Sequence, residues 1–334
     1  TGAPRMKNQM NWQWHSIKWI APVVGVVAVA VALPAFAKGF LLFQATQVMI
    51  FAIAIMGLNL LVGFSGQLSL GHGAFYAVGA YTAAIFMGQY DLHYGFAIPA
   101  AGVIAFLFGF LFGLPALRLE GHYLAMATFS LAVAMPQVIK LSVLEAWTGG
   151  SQGIAVNKPH APFGSSLNED QWLYYITLIT TCLLYLVARN LIKSRTGLAL
   201  LAVKESPVAA KAMGVNVSVY KTLAFGMSAA FNGIAGALSA MAVQYIAPES
   251  FTFYLSAAIL VGLVVGGVGW LPGAFFGAIF VLFVPNVAET FSKGLSGAIY
   301  GVFLIVLIFF LPSGASTFRD FIFHRFQRKS GTSN

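Results

Sequence analysis

The chain has 334 residues, of which 59% are hydrophobic and 8% charged, and it carries a net charge of +9. A soluble domain holds roughly a quarter charged residues, so this composition excludes a water-soluble globular protein. It also argues against nucleic acid as a partner, because the basic residues do not cluster on a soluble module with a recognisable motif.

Apolar blocks of about 20 residues follow one another with short polar interruptions, the length a helix needs to cross the hydrocarbon. The blocks lack the polar/apolar alternation of an outer-membrane barrel, so they predict helices. The fold class is therefore all-α, a polytopic membrane protein of about ten spans. The first apolar run, Trp19 to Ala37, exceeds the roughly 7–15 residues of a signal-peptide core and predicts an uncleaved span. Breaks at charges, Gly/Pro clusters and polar runs place the spans near 18–37, 41–62, 74–88, 95–117, 122–144, 171–192, 222–245, 254–269, 273–289 and 296–312, the third and eighth being short. These form a transmembrane body, 18–312, between an N-terminal segment, 1–17, and a basic tail, 313–334. The tail reads as an anchor on the surface of membrane lipid.

With a cytoplasmic N-terminus these spans put most Lys and Arg inside: Arg5, Lys7, Lys18, Arg118, Arg189, Lys193, Arg195, Lys204, Lys211, Lys221, Arg319, Arg325, Arg328 and Lys329. Only Lys38, Lys140, Lys158 and Lys293 fall outside. This asymmetry predicts both termini in the cytoplasm. Two soluble segments then exceed turn length, an outer one at 145–170 and an inner one at 193–221. The single cysteine, Cys182, lies in an apolar run and offers neither a disulfide framework nor a metal cluster.

Three constellations interrupt this pattern. Residues 59–73, NLLVGFSGQLSLGHG, set four glycines among Ser65, Gln67, Ser69 and His72. Such a stretch fits a discontinuous helix lining a translocation path, where irregular backbone is tolerated at membrane depth. It fits equally a cytoplasmic loop between two spans, and hydropathy does not separate the two. His72 by itself reads as a packing or hydrogen-bonding residue rather than a proton relay. Residues 262–277, GLVVGGVGWLPGAFFG, suggest close helix packing for most of their glycines and a second discontinuity at Trp270–Pro272. Gly66 and Gly73–Ala74–Phe75 are echoed by Gly266 and Gly273–Ala274–Phe275, which is either an internal repeat or chance in a chain with 35 glycines.

The third constellation lies in the inner segment. Ser206 followed by Pro207 forms an N-cap with proline at the first helical position, and Gly214 is placed to stop the helix. A short cytoplasmic helix over 206–213 is predicted, with Ala209 and Ala210 on it and Lys204, Glu205 and Lys211 flanking it.

The spans hold no Asp, Glu, Lys or Arg near their centres, whereas ion-coupled carriers usually need such groups. The sequence has no phosphate-binding G-x-x-x-x-G-K-[ST] motif, no metal-spaced His pair and no G-x-S-x-G. The chain is therefore not read as an enzyme, and ATP, if used, binds to another chain.

The runs NLLVGFSGQLSLGHGAFYAVGAY (59–81), LRLEGHYLAMATFS (117–130), TGGSQGI (148–154), RTGLALLAVKESPVAAKAMGVNVSVYKTLAF (195–225) and GGVGWLPGAFFGA (266–278) resemble, in order, the branched-chain amino-acid ABC-transporter permeases of the LivM type. The resemblance implies a subunit of a bacterial inner-membrane importer. Its partners would be a homologous second permease, two cytoplasmic ATP-binding subunits holding ATP and Mg, and a periplasmic solute-binding protein. No cofactor is expected in this chain. By the same resemblance Ser65, Gly66, Gln67, Ser69, Gly71, His72, Tyr123 and Thr128 would line the substrate path. Glu205, Ser206, Pro207, Ala209, Ala210 and Gly214 would form the coupling helix that docks on the ATPase. Related permeases import leucine-like amino acids, but also urea, short amides and aromatic or other carboxylates, so the motifs leave the solute open.

Overall fold

The computed structural model describes residues 39–116, 121–161 and 167–291 continuously, with 30–34, 36, 119, 301–303, 305–306, 309 and 314–315. The segment predicted at 1–17, most of the spans predicted at 18–37 and 296–312, and nearly all of the tail 313–334 lie outside the described residues.

In chain order the helices are α1 (Phe40–Asn59), α2 (His72–Gly88), α3 (Tyr94–Ala116), α4 (His122–Ile139), α5 (Ser142–Thr148), α6 (Glu169–Lys193), α7 (Arg195–Glu205), α8 (Pro207–Ala212), α9 (Val217–Val243), α10 (Phe253–Gly266) and α11 (Gly273–Phe291). A π-turn, Leu60–Phe64, extends α1. Among the described residues six stretches are long and apolar enough to cross a membrane: Phe40–Phe64, Tyr94–Pro115, His122–Ile139, Glu169–Lys193, Val217–Val243 and Pro248–Gly266. α2 has 17 residues and α10 has 14. These short helices match the two short predicted spans.

Local chemistry sets the boundaries. Gln171 Oε1 accepts the Asn168 amide at 3.1 Å at the start of α6, where Glu169 and Asp170 favour the positive helix end. Asn216 Oδ1 accepts the Val219 amide at 3.3 Å and caps α9. Inside the apolar helices, Thr46, Thr82, Thr177 and Thr181 each donate to the carbonyl one turn back, which satisfies their hydroxyls without water.

α9 is the central helix and packs against α1, α2 and α3. Small residues permit this. A Cβ on Gly79 of α2 would lie 2.0 Å from the Gly233 carbonyl of α9, and a Cβ on Gly109 of α3 would lie 2.3 Å from Ala229 Cβ. α10 and α11 form a tight antiparallel pair by the same device, with Gly277 on the Gly262 carbonyl and Gly273 on the Gly266 carbonyl. The packing role predicted for the glycines of 262–277 is thus observed.

The structure differs from the predicted spans in two places. The span predicted at 122–144 ends at Ile139, and α5 follows as a separate short helix after Leu141 takes an extended conformation. The junction lies at Lys140, whose ammonium meets Glu249 Oε1 at 2.6 Å. The second difference is a small antiparallel pairing of β1 (Ile154–Ala155) with β2 (Tyr245–Ile246), which joins the outer loop to the segment before α10.

Candidate functional site

α1 changes its winding after Asn59. The π-turn over Leu60–Phe64 takes carbonyls out of the regular ladder, a feature frequent at functional sites. The chain leaves the helix at Ser65, turns through Gly66 with φ +72°, and runs as irregular backbone to Gly71. A left-handed turn of this kind suits a residue without Cβ.

Ser228 of α9 establishes the depth of this break. Its hydroxyl donates to the Gly57 carbonyl at 2.6 Å and stands 2.6 Å from His72 Nε2. His72 is therefore level with Gly57, about two turns or ~10 Å back from Phe64 along α1. The Leu70 amide donates to Thr128 Oγ1 at 2.9 Å, between one and two turns into α4. Ser65, Gln67, Ser69 and His72 are buried. The irregular backbone climbs back into the bundle, where side-chain hydroxyls replace water as hydrogen-bond partners. Its start, 65–67, lies against the inner segment through Gln67 on the Lys221 carbonyl, and its end, 69–72, is buried between α4 and α9.

His72 is 1% exposed. Because the Ser228 proton goes to Gly57, His72 Nε2 must donate to Ser228, which leaves Nδ1 to accept from Ser69 Oγ at 3.1 Å. This network holds one neutral tautomer in place. It matches the hydrogen-bonding role read from the sequence.

Two further discontinuities meet this break. The Gly73 amide donates to Ser256 Oγ at 2.8 Å, which sets the first turn of α2 beside the first turn of α10. Before α10, the chain returns through a turn at Pro248–Phe251, and the Phe251 ring packs on Tyr81 of α2. Two helix N-termini thus come together inside the apolar bundle, and their dipoles favour a negative group nearby. At the far end, Gly267 and Gly269 have φ values of +100° and +80° and break the chain between α10 and α11. Asn59 Oδ1 accepts the Gly269 amide at 2.8 Å, and Asn59 Nδ2 donates to the Trp270 carbonyl at 3.1 Å. The discontinuity expected at Trp270–Pro272 therefore faces the first. Both echoed Gly–Ala–Phe motifs follow a break and start a helix, but α10 packs closely on α11 whereas α1 and α2 diverge.

Of the predicted path residues, Ser65, Gly66, Gln67, Ser69, Gly71, His72 and Thr128 come together around the break. Gln67 turns its amide to Ser65 Oγ at 2.6 Å and to the Lys221 carbonyl at 3.2 Å. Tyr123 stands apart on another face of α4 and is 72% exposed. Sequence reasoning missed Ser228, Ser256 and the bridging role of Asn59. Their signal was a polar residue inside an otherwise apolar helix.

The inner segment folds as predicted around Ser206. Its hydroxyl accepts the Ala209 amide at 3.3 Å, Pro207 opens α8, and Gly214 adopts φ +84°. The Val215 amide reaches the Ala210 carbonyl and the Gly214 amide the Lys211 carbonyl, which closes the helix in a Schellman motif. Ala210 is buried, while Glu205, Pro207, Ala209 and Gly214 are exposed and Ser206 is half-buried. Val208 and Met213 project at 81% and 85% exposure, so α8 presents an apolar knob. Among the described residues no group of three or more His, Cys, Asp or Glu is placed to hold a metal.

A bundle of apolar helices interrupted by buried, glycine-containing polar breaks fits a polytopic membrane protein of the transport class. The chain belongs to the family of branched-chain amino acid transport system permease components, whose model matches residues 40–311. It is 33% identical over 315 residues to the high-affinity branched-chain amino acid transport system permease protein LivM of Escherichia coli, covering 87% of this chain and 73% of that protein. The LivM protein of Salmonella typhimurium is 32% identical with the same coverage. The high-affinity branched-chain amino acid transport system permease protein BraD of Pseudomonas aeruginosa is 26% identical over 284 residues, 79% of this chain and 90% of that protein. No solved structure matches the chain.

Proposed function

We propose that this chain is one permease subunit of a binding-protein-dependent ABC importer in a bacterial inner membrane, carrying branched-chain amino acids by alternating access. The observation that carries this reading is the buried polar break at Ser65–Gly71, beside the joined N-termini of α2 and α10. Helix N-termini favour the carboxylate of an amino-acid solute, and the apolar surroundings suit its side chain. The names of the relatives point to the same solutes. Ser65, Gly66, Gln67, Ser69, Gly71, His72, Tyr123 and Thr128 are assigned to the path.

In this reading the chain has no ATPase site and no cofactor of its own. A homologous second permease completes the pathway, and two cytoplasmic subunits bind ATP and Mg. A periplasmic binding protein docks around 145–170 and 246–253. The Lys/Arg asymmetry supports a cytoplasmic position for both termini and for α8. The rigid, doubly capped α8, with Val208 and Met213 exposed, is suited to seat in an ATPase groove as the coupling helix. Glu205, Ser206, Pro207, Ala209, Ala210 and Gly214 build it.

The test is leucine uptake by the complete complex in proteoliposomes, with ATP hydrolysis measured in parallel. Scrambling residues 206–213, or replacing Glu205 or Gly214, is expected to lower uptake about tenfold or more while the assembled complex keeps its basal hydrolysis. Full uptake by the scrambled variant overturns the coupling role. Uptake by this chain alone, driven by an ion gradient, overturns the importer reading.

A further inference from the structure

The inner segment and the break are joined by two hydrogen bonds on either side of α8. Lys204, at the end of α7 and two residues before Ser206, donates from Nζ to the Gly63 carbonyl at 2.8 Å. On the other side, the Lys221 carbonyl in the first turn of α9 accepts from Gln67 Nε2 at 3.2 Å. Gly63 lies in the last turn before the chain leaves the helix at Ser65, so its carbonyl has no helical partner and is open to an outside donor. Gly63 is also where the first break meets the second, since a Cβ on it would lie 2.2 Å from Asn59 Oδ1 and 2.7 Å from the Gly269 amide nitrogen. The stem of Lys204 lies along the turn that follows, with its Cγ 2.9 Å from a Cβ built on Gly66.

We infer that Lys204 is the positioning residue through which movement of the coupling helix reaches the transport path, by holding the π-turn carbonyl of Gly63. α7 and α8 are joined at Ser206 with no intervening loop, so a displacement of α8 is delivered to Lys204 as a rigid-body movement. The ammonium passes it to the carbonyl that stands between the two breaks. Gln67 holds the opposite side of the break to the start of α9, so the segment 63–67 shifts between two anchors instead of sliding past one. An ammonium bound to a backbone carbonyl is a directional, charge-assisted contact. A methylene chain ending in an apolar group would pack against Gly66 without gripping Gly63.

This inference rests on the coupling role of α8 proposed above, and the experiment separates the two. The complete complex in proteoliposomes is assayed for leucine uptake, basal ATP hydrolysis, and hydrolysis stimulated by loaded binding protein. Lys204→Met is expected to keep basal hydrolysis and to lose most of the stimulation, with uptake per ATP falling about tenfold. Lys204→Arg, which keeps the charge and the donor, is expected to restore both. A second variant supplies a further readout. Lys204→Gln, which is polar but uncharged and shorter, is expected to assemble as wild type does and to lose coupling as Lys204→Met does. If Lys204→Met transports at the wild-type ratio while scrambled 206–213 does not, the role of Lys204 is overturned and that of α8 stands. If both transport normally, the coupling reading itself fails. If Lys204→Met does not assemble, uptake per ATP at the wild-type ratio by Lys204→Gln overturns the inference.

Discussion

Asn59 holds Gly269 across 210 residues of sequence, with its Oδ1 accepting the Gly269 amide at 2.8 Å while its Nδ2 donates to the Trp270 carbonyl at 3.1 Å. One side-chain amide thereby satisfies backbone groups of the second break from the last regular turn before the first. Asn59 is buried, so water cannot readily replace it. Asn59→Leu, similar in branching though bulkier, leaves a donor and an acceptor unpaired at about 1–3 kcal/mol each. The purified complex is expected to lose thermal stability in detergent, and uptake is expected to fall with it. An unchanged melting temperature would show that the two breaks are held together by packing alone.

His72 is expected to act through hydrogen bonds and not through proton transfer. Its ring joins Ser69 to Ser228, and Ser228 in turn anchors Gly57. His72→Gln, which keeps an amide donor of similar reach, should retain substantial uptake, whereas His72→Leu should lose it and cost about 1–3 kcal/mol of stability. A proton gradient imposed without ATP should drive no uptake in either variant or in the wild type. Proton-driven uptake that disappears in His72→Gln would establish a relay.

Gly79 and Gly233 determine how closely α2 approaches α9. A Cβ on Gly79 would lie 2.0 Å from the Gly233 carbonyl, and backbone on both sides leaves no flexible side chain to yield. Gly79→Ala is expected to cost at least about 1–3 kcal/mol by overpacking, with Gly79→Val worse. Size-exclusion profiles of the detergent-extracted complex should show loss of the assembled peak in that order, and an unaltered profile for Gly79→Val would refute the close approach.

The outer loop offers a milder test. Gly153 has φ +74°, and a Cβ there would lie 2.1 Å from the Ile246 carbonyl. Gly153→Ala should therefore loosen the β1–β2 pairing without unfolding the bundle. Hydrogen exchange at the amides of residues 154–156 and 244–246 is the measurement, and faster exchange confined to those positions is the expected result.

Much of this protein is decided within short stretches of sequence. The apolar blocks dictate helices because lipid leaves backbone groups no other partner. The Ser206–Pro207 cap and Gly214 stop define α8 because capping is satisfied within a few residues. Close packing at Gly262, Gly266, Gly273 and Gly277 was legible for a similar reason, since small residues spaced along a helix mark a contact side whatever the partner.

The break at 65–71 was different. A polar, glycine-rich run has the same composition whether it meets water or is buried, so sequence polarity could not assign its depth. That was decided by hydroxyls remote in the chain: Thr128 on the Leu70 amide, Ser228 on His72 and Ser256 on the Gly73 amide. Likewise Lys204 read as one more positive charge on the inner side, because nothing local indicates that its side chain reaches the Gly63 carbonyl 141 residues away. The sequence by itself determined a helical membrane body, its glycine contacts and its capped inner helix, all set by local or lipid-imposed rules. Only the tertiary structure decided where the polar breaks lie and what they touch, because buried polar groups are stabilised by partners that the chain brings together from distant positions.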